Sequence, residues 1–140
     1  MVKNISTIHI NASQQKTWEA LTKPELVKQW QFGSDLLTDW QVGCHIRFST
    51  AREGNLFEQW GNVLEVKPYE ILRYSLFAPR PGLEDKPENY FTMSYLLTPE
   101  NGGTRLEIIQ DDNRPGAVQE EPQGEENPVL LSLKNLIEKS

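Results

Sequence analysis

The feature that most limits what this chain can become is the two-residue hydrophobic alternation running from Asp35 to Asp111, broken only where turn-forming residues cluster. Successive side chains on a strand point to opposite faces, so this pattern specifies strands with one covered and one wet face, as in an antiparallel sheet. The interruptions fall at Gln41–Gly43, Arg52–Asn55, Lys67–Glu70, Ala78–Asn89 and Pro99–Gly103 and frame about six strands. Alternation is cleanest at Ile46/Phe48, Leu72/Tyr74/Leu76, Phe91/Met93/Tyr95/Leu97 and Leu106/Ile108/Gln110. Between Leu56 and Val66 it falters: Trp60, Leu64 and Val66 share one parity while Phe57 and Val63 share the other, which predicts a bulge near Gly61.

Different periods flank this run. Ile8 and Ile10 alternate with Thr7, His9 and Asn11, so the first ten residues read as a strand. Ser13 is a candidate N-cap for a short helix carrying Trp18 and Leu21, and Thr22 with Glu25 has the spacing of a capping box for a second, carrying Leu26, Val27 and Trp30. Asp111–Glu126 holds six acids and one Arg with no hydrophobic period, and reads as a solvated loop. Asn127 then caps, and Pro128 opens, a helix whose apolar face is Val129, Leu130, Leu133, Leu136 and Ile137. The order predicts an α+β fold, a curved antiparallel sheet with the C-terminal helix across its apolar face, in a single domain over residues 1–140.

Charge and composition narrow the function. A net charge of −6, with no clustered Lys or Arg, argues against a nucleic-acid partner. Cys44, His9 and His45 have no metal-like spacing, so no metal site is expected, and a lone Cys fits a reducing compartment. The start lacks the apolar stretch of a secretory signal, and no run approaches the ~20 apolar residues of a membrane span, so a cytoplasmic protein is expected. No nucleophile elbow, phosphate loop or dinucleotide fingerprint is present, and no cofactor is expected. Cys44 and His45 are adjacent on a strand and face opposite ways. Glu58, Glu65 and Glu107 are general-base candidates only if buried beside a ligand; Glu107 has the wrong parity for that.

The side chains that would line a cavity are Phe48, Trp60, Leu72, Tyr74, Leu76, Phe91, Met93, Tyr95, Leu106, Ile108, Gln110 and Leu133. The same residues would equally close on one another as an ordinary core. Tyr74 and Tyr95 matter most here, because a buried phenol needs a hydrogen-bond partner that a ligand or trapped water supplies. Trp18 and Trp30, on the small helices, either plug the end of the sheet or gate a cavity mouth. Trp40 lies in a turn region and, if exposed, is a partner-contact candidate. Residues 78–89, with three prolines, and the acidic run are candidate lids.

Four segments carry a family resemblance: INASQQKTWEALTKPELVKQW at Ile10–Trp30, GNVLEVKPYEILRYS at Gly61–Ser75, YLLTPENGGTRLEI at Tyr95–Ile108, and LKNLIEK near the end. Together they resemble the START-like, helix-grip superfamily (SRPBCC), and within it the branch named after the C-terminal domain of the activator of the 90-kDa heat-shock protein ATPase. The resemblance implies a seven-stranded sheet gripping the C-terminal helix, with a cavity for an apolar or amphipathic small molecule. It leaves three functions open: a non-catalytic small-molecule carrier or sensor, a chaperone-associated stress-response module, and a polyketide cyclase- or hydrolase-like enzyme. Cys44 stands where relatives often carry Gly, Gln110 where many carry His, and the last helix lacks the Trp that often begins its apolar face.

Overall fold

A computed structural model describes residues 2–31, 33–112, 114, 116–124 and 126–139, with the backbone alone at Arg52. Strand β1 (Val2–Ile10) leads into helices α1 (Gln14–Thr22) and α2 (Pro24–Trp30). Strands β2 (Asp35–Leu37), β3 (His45–Arg52), β4 (Asn55–Lys67), β5 (Ile71–Leu76), β6 (Phe91–Glu100) and β7 (Gly103–Asp112) follow, and helix α3 (Pro128–Lys139) ends the chain. The strands form one antiparallel sheet in the order β1-β7-β6-β5-β4-β3-β2. The sheet, the two short helices after β1 and the terminal helix are as the alternation and the resemblance predict.

Local chemistry explains most element ends. The Ser13 hydroxyl accepts from the Lys16 amide at 3.1 Å and caps α1, and the Asn127 side chain accepts from the Val129 amide at 2.9 Å to cap α3. The capping box expected at Thr22 does not form. Lys23 occupies the N-cap of α2, and the Thr22 hydroxyl instead donates to the Trp18 carbonyl, so fixed proline geometry at Pro24 starts that helix. Between β6 and β7, Asn101 (φ 48°) and Gly102 (φ 80°) form a two-residue turn whose left-handed backbone matches the twist of the paired strands.

In the difficult stretch β4 is one continuous strand, and the irregularity expected near Gly61 falls between Val63 and Glu65. Up to Val63, Phe57, Gln59, Gly61 and Val63 face the same side as Phe48 on β3; past the bulge Val66 takes over that side opposite Leu72. Gly61 has a different task. A Cβ there would sit 1.9 Å from the Ser75 carbonyl oxygen, so the backbones of β4 and β5 approach too closely for any side chain.

Helix α3 buries Leu130, Leu133 and Ile137, the last two at 0% and 2% exposure, and packs on β1, α1 and α2. Burial of each such side chain contributes about 1.5–3 kcal/mol. Its polar side is also tied down: the Lys134 ammonium donates to the His9 carbonyl at 2.6 Å, and Glu138 accepts from the Asn11 amide at 2.8 Å. At about 1.5 Å per residue its 12 residues reach about 18 Å. The acidic segment is an exposed loop, as expected, and it also runs beside β1. The Thr7 amide donates to the Gln123 carbonyl, the Gln123 amide to Ile5, and the Glu120 amide to the Asn4 side chain, which covers an otherwise open sheet edge.

Replacing Gly61 with Ala forces β4 and β5 apart. The expected cost is about 1–3 kcal/mol, read as a lower urea midpoint with an unchanged slope.

Candidate functional site

Because α3 lies toward β1 and the small helices, the sheet face from β3 to β7 is left partly uncovered. There a cleft of about 990 Å³ opens. Its floor is Tyr74 and Leu76 of β5, Phe91, Met93 and Tyr95 of β6, and Ile108 and Gln110 of β7. Phe48 and Thr50 of β3 and residues 56–60 of β4 form one wall, Trp30, Gln31 and Ser34 another. Asn127, Val129 and Leu130 at the start of α3 close it from above, with Ala78 and Pro79 at the edge.

Of the side chains named from the sequence, Phe48, Trp60, Tyr74, Leu76, Phe91, Met93, Tyr95, Ile108 and Gln110 border this cleft. Leu72, Leu106 and Leu133 do not; they are 1%, 0% and 0% exposed, inside the closed core. Parity put the first two on the correct face, but α1 packs over that end of β6 and β7, and Leu133 lies a turn deeper along α3. Trp60 only borders the space: it shares the face of Arg47, its ring lies 5.5 Å from Phe77, and its indole N–H donates to Asp85 at 3.0 Å. Asp85 also accepts from the Tyr90 hydroxyl, so the segment 78–89 is pinned on the side of β4 away from Phe48.

The helix tryptophans divide. Trp30 lines the cleft, with its N–H donated to the Ala20 carbonyl at 2.8 Å, which locks α2 onto α1. Trp18 is away from it, buried edge-to-face against Tyr69. Trp40 is tucked in rather than exposed, its N–H bonded to the Thr22 carbonyl and its ring 6.2 Å from Tyr74. The periodicity missed Thr50, Leu56, Phe57 and the cap of α3. Leu56 and Phe57 are 63% and 58% exposed beside a tight turn, and two adjacent apolar residues at a hairpin tip were the available signal.

Two polar groups dominate the floor. The Tyr74 and Tyr95 hydroxyls lie 2.8 Å apart, diagonal neighbours on β5 and β6 with 3% and 5% exposure. Burial pushes the Tyr74 phenol well above its ordinary range, with Tyr95 adding to the shift, and burial also raises Tyr95; both are neutral O–H groups at physiological pH. Farther along, the Gln110 amide donates to Asp112 at 3.1 Å, which leaves its carbonyl oxygen without a donor among the described residues. Asp112 is 3% exposed and bound by Arg114 through two contacts of 2.9 and 2.7 Å, and the Arg114 guanidinium lies 4.3 Å from the Phe91 ring centre. The Arg114 hydrogen bonds hold the Asp112 carboxyl below the usual carboxylate range.

The catalytic candidates stand apart from this floor. Glu58 reaches the rim but accepts from Ser49 at 3.0 Å and Arg47 at 3.4 Å, Glu65 pairs with Arg73 at 2.6 Å, and Glu107 with Arg105 at 3.8 Å. His45 is exposed, and the Cys44 thiol contacts Thr38 at 3.3 Å. Among the described residues no group of three or more His, Cys, Asp or Glu is placed to hold a metal, and no helix is long and apolar enough to cross a membrane.

A curved antiparallel sheet, two short helices after its first strand and a terminal helix over an aromatic cleft define a helix-grip protein of START-like type. The chain belongs to the family described as Activator of Hsp90 ATPase homolog 1-like protein, whose model matches residues 11–138. The solution structure of ChR145 from Cytophaga hutchinsonii is similar at 34% identity and TM-score 0.70, over 83% of this chain and 80% of that one. MLL2253 from Mesorhizobium loti shares the fold at 23% identity, TM-score 0.73, over 99% and 98%. The Aha1 dimer from Colwellia psychrerythraea shares it at 20% identity, TM-score 0.62, over 84% and 81%. The curated proteins contain no significant match.

Two outcomes are expected. Tyr74→Phe strands a buried hydroxyl on Tyr95 and costs about 1–3 kcal/mol, whereas Tyr74→Phe with Tyr95→Phe removes both partners and lies closer to wild type in urea unfolding. For Asp112, a folded-state pKa held below its ordinary value of 3.8 means its stabilisation is complete above that pH and is lost as pH falls through the folded value. The stability gap between wild type and Asp112→Asn should therefore be constant at neutral pH and shrink below pH 3.8 in acid unfolding.

Proposed function

We propose that this protein is a non-catalytic carrier or sensor of an apolar or amphipathic small molecule held in the cleft between sheet and C-terminal helix. The observation that carries this reading is the cleft itself: about 990 Å³, at the top of the roughly 300–1,000 Å³ typical of ligand pockets. Aromatic side chains from β3 to β6 wall it, and its few polar groups converge on the floor, the arrangement such pockets use to orient a guest. Family membership supports a ligand-binding or activator-like module at the same coarse level.

A second reading, a chaperone-associated interaction module, draws on the family description and on the likeness to the Colwellia psychrerythraea Aha1 dimer. The exposed Leu56 and Phe57 at the hairpin tip are the surface that favours it. An enzyme reading has less support, since the candidate bases Glu58, Glu65 and Glu107 are engaged in ion pairs at the rim of the cleft or on the other face.

Native mass spectrometry after gentle purification separates the two main readings: a bound small molecule supports the carrier, a co-purified chaperone the module. With Nile red as a neutral probe, Ile108→Trp should fill the floor and weaken binding roughly tenfold while the thermal midpoint stays near wild type. Binding undiminished by that substitution would place the dye elsewhere and count against the cleft.

A further inference from the structure

The Tyr74–Tyr95 pair has one hydrogen more than it can use. Two phenols bring two donor hydrogens, and their mutual bond at 2.8 Å consumes one. Among the described residues nothing else accepts from either hydroxyl. At 3% and 5% exposure, bulk water does not reach them freely, and an unmatched buried O–H is costly.

What satisfies that hydrogen is decided by the neighbours. A buried water needs two to four polar partners. Met93 lies across from Tyr74, Ile108 lies across from Tyr95, and the Phe48 ring is 5.7 Å from Tyr74, so the nearest neighbours of the pair on the cleft side are apolar, although Gln110 and Thr50 line the same cleft farther off. Trp40 packs against Tyr74 as well, but its N–H is already given to the Thr22 carbonyl. A water here would find no further partner among these nearest neighbours, whereas an oxygen carried on an apolar guest is held by the guest's own burial.

The same walls select its charge and shape. The described residues lining the cleft include no Lys, Arg or His, and the one acid among them, Glu58, is negative, as is the chain at −6. An anionic oxygen would be buried without a counter-charge. The tilted rings of Phe48, Tyr74 and Tyr95 form a continuous aromatic surface suited to stacking.

We propose that the guest is a neutral, flat aromatic molecule with a carbonyl-type oxygen that accepts the spare hydrogen of the Tyr74–Tyr95 pair. This rests on the carrier reading above and specifies its ligand class. The phenols act as a specificity device: they reward a guest that brings an acceptor and leave an unpaired hydroxyl beneath one that does not.

Three probes of one size test it by calorimetric titration: 2-acetylnaphthalene, 2-isopropenylnaphthalene, which replaces the carbonyl oxygen with a CH₂ group, and 2-naphthoate. Wild type should bind the ketone about tenfold more tightly than the alkene, and the carboxylate more weakly than either. The carbonyl infrared band of bound ketone should move to lower frequency. The Tyr74→Phe/Tyr95→Phe double variant, its fold checked by its unfolding midpoint, should bind ketone and alkene equally, with the band unshifted. Equal affinities in wild type, a preference that survives the double variant, or tighter naphthoate binding would overturn this inference and leave the carrier reading standing. No binding of any probe, together with no dye binding, would remove the carrier reading itself.

Discussion

A terminal helix of 12 residues cannot cover a seven-stranded sheet, and most of what is distinctive in this molecule depends on that mismatch. Leu130, Leu133 and Ile137 commit α3 to β1 and the small helices, and Lys134 and Glu138 reinforce the same edge through the backbone at His9 and Asn11, at the end of β1 and just past it. Every contact that anchors the helix there is withheld from the strands on the far side. The space left over β3–β7 is a consequence of where the helix binds best.

That space stays open because its borders are fixed by bonds that do not cross it. Trp30 and Trp40 direct their indole N–H groups to backbone carbonyls of α1, so the aromatic bodies face the sheet while the polar ends are satisfied elsewhere. Asp85 holds Trp60 and Tyr90 on the side of β4 away from Phe48 and keeps the proline-rich segment from falling into the cleft. Arg114 neutralises Asp112, so a buried carboxylate can orient Gln110 without leaving a net charge at the floor. Among the described residues of the cleft floor, what remains unmatched is one phenolic hydrogen and one amide oxygen.

Much of the fold was legible because its signals are local. Alternation at Leu72/Tyr74/Leu76 and Phe91/Met93/Tyr95 follows from strand geometry and needs no knowledge of neighbours. Ser13, Asn127 and the Asn101–Gly102 turn are visible for the same reason, since each is set within four residues. Thr22 was misleading: its hydroxyl had two local partners available, and the carbonyl of Trp18 won. The β4 bulge was sensed to within a few residues, but the role of Gly61 was not, because a glycine looks like a point of weakness in sequence and this one is a point of close strand contact.

The cleft was legible only as a choice between pocket and core. Pattern alone ranked Leu72 with Tyr74 and Leu106 with Ile108, as strand parity must. Which member of each pair meets open space depends on where α1 and α3 land, and those helices are set by contacts far apart in the chain. The pairing of Tyr74 with Tyr95 and the pinning of the acidic segment to β1 likewise join residues that no short-range pattern links. Periodicity and turn chemistry specified which side chains share a face, since backbone geometry acts over a few residues; whether that face is filled or vacant was left to the packing of distant elements, since volume is a property of the whole assembly.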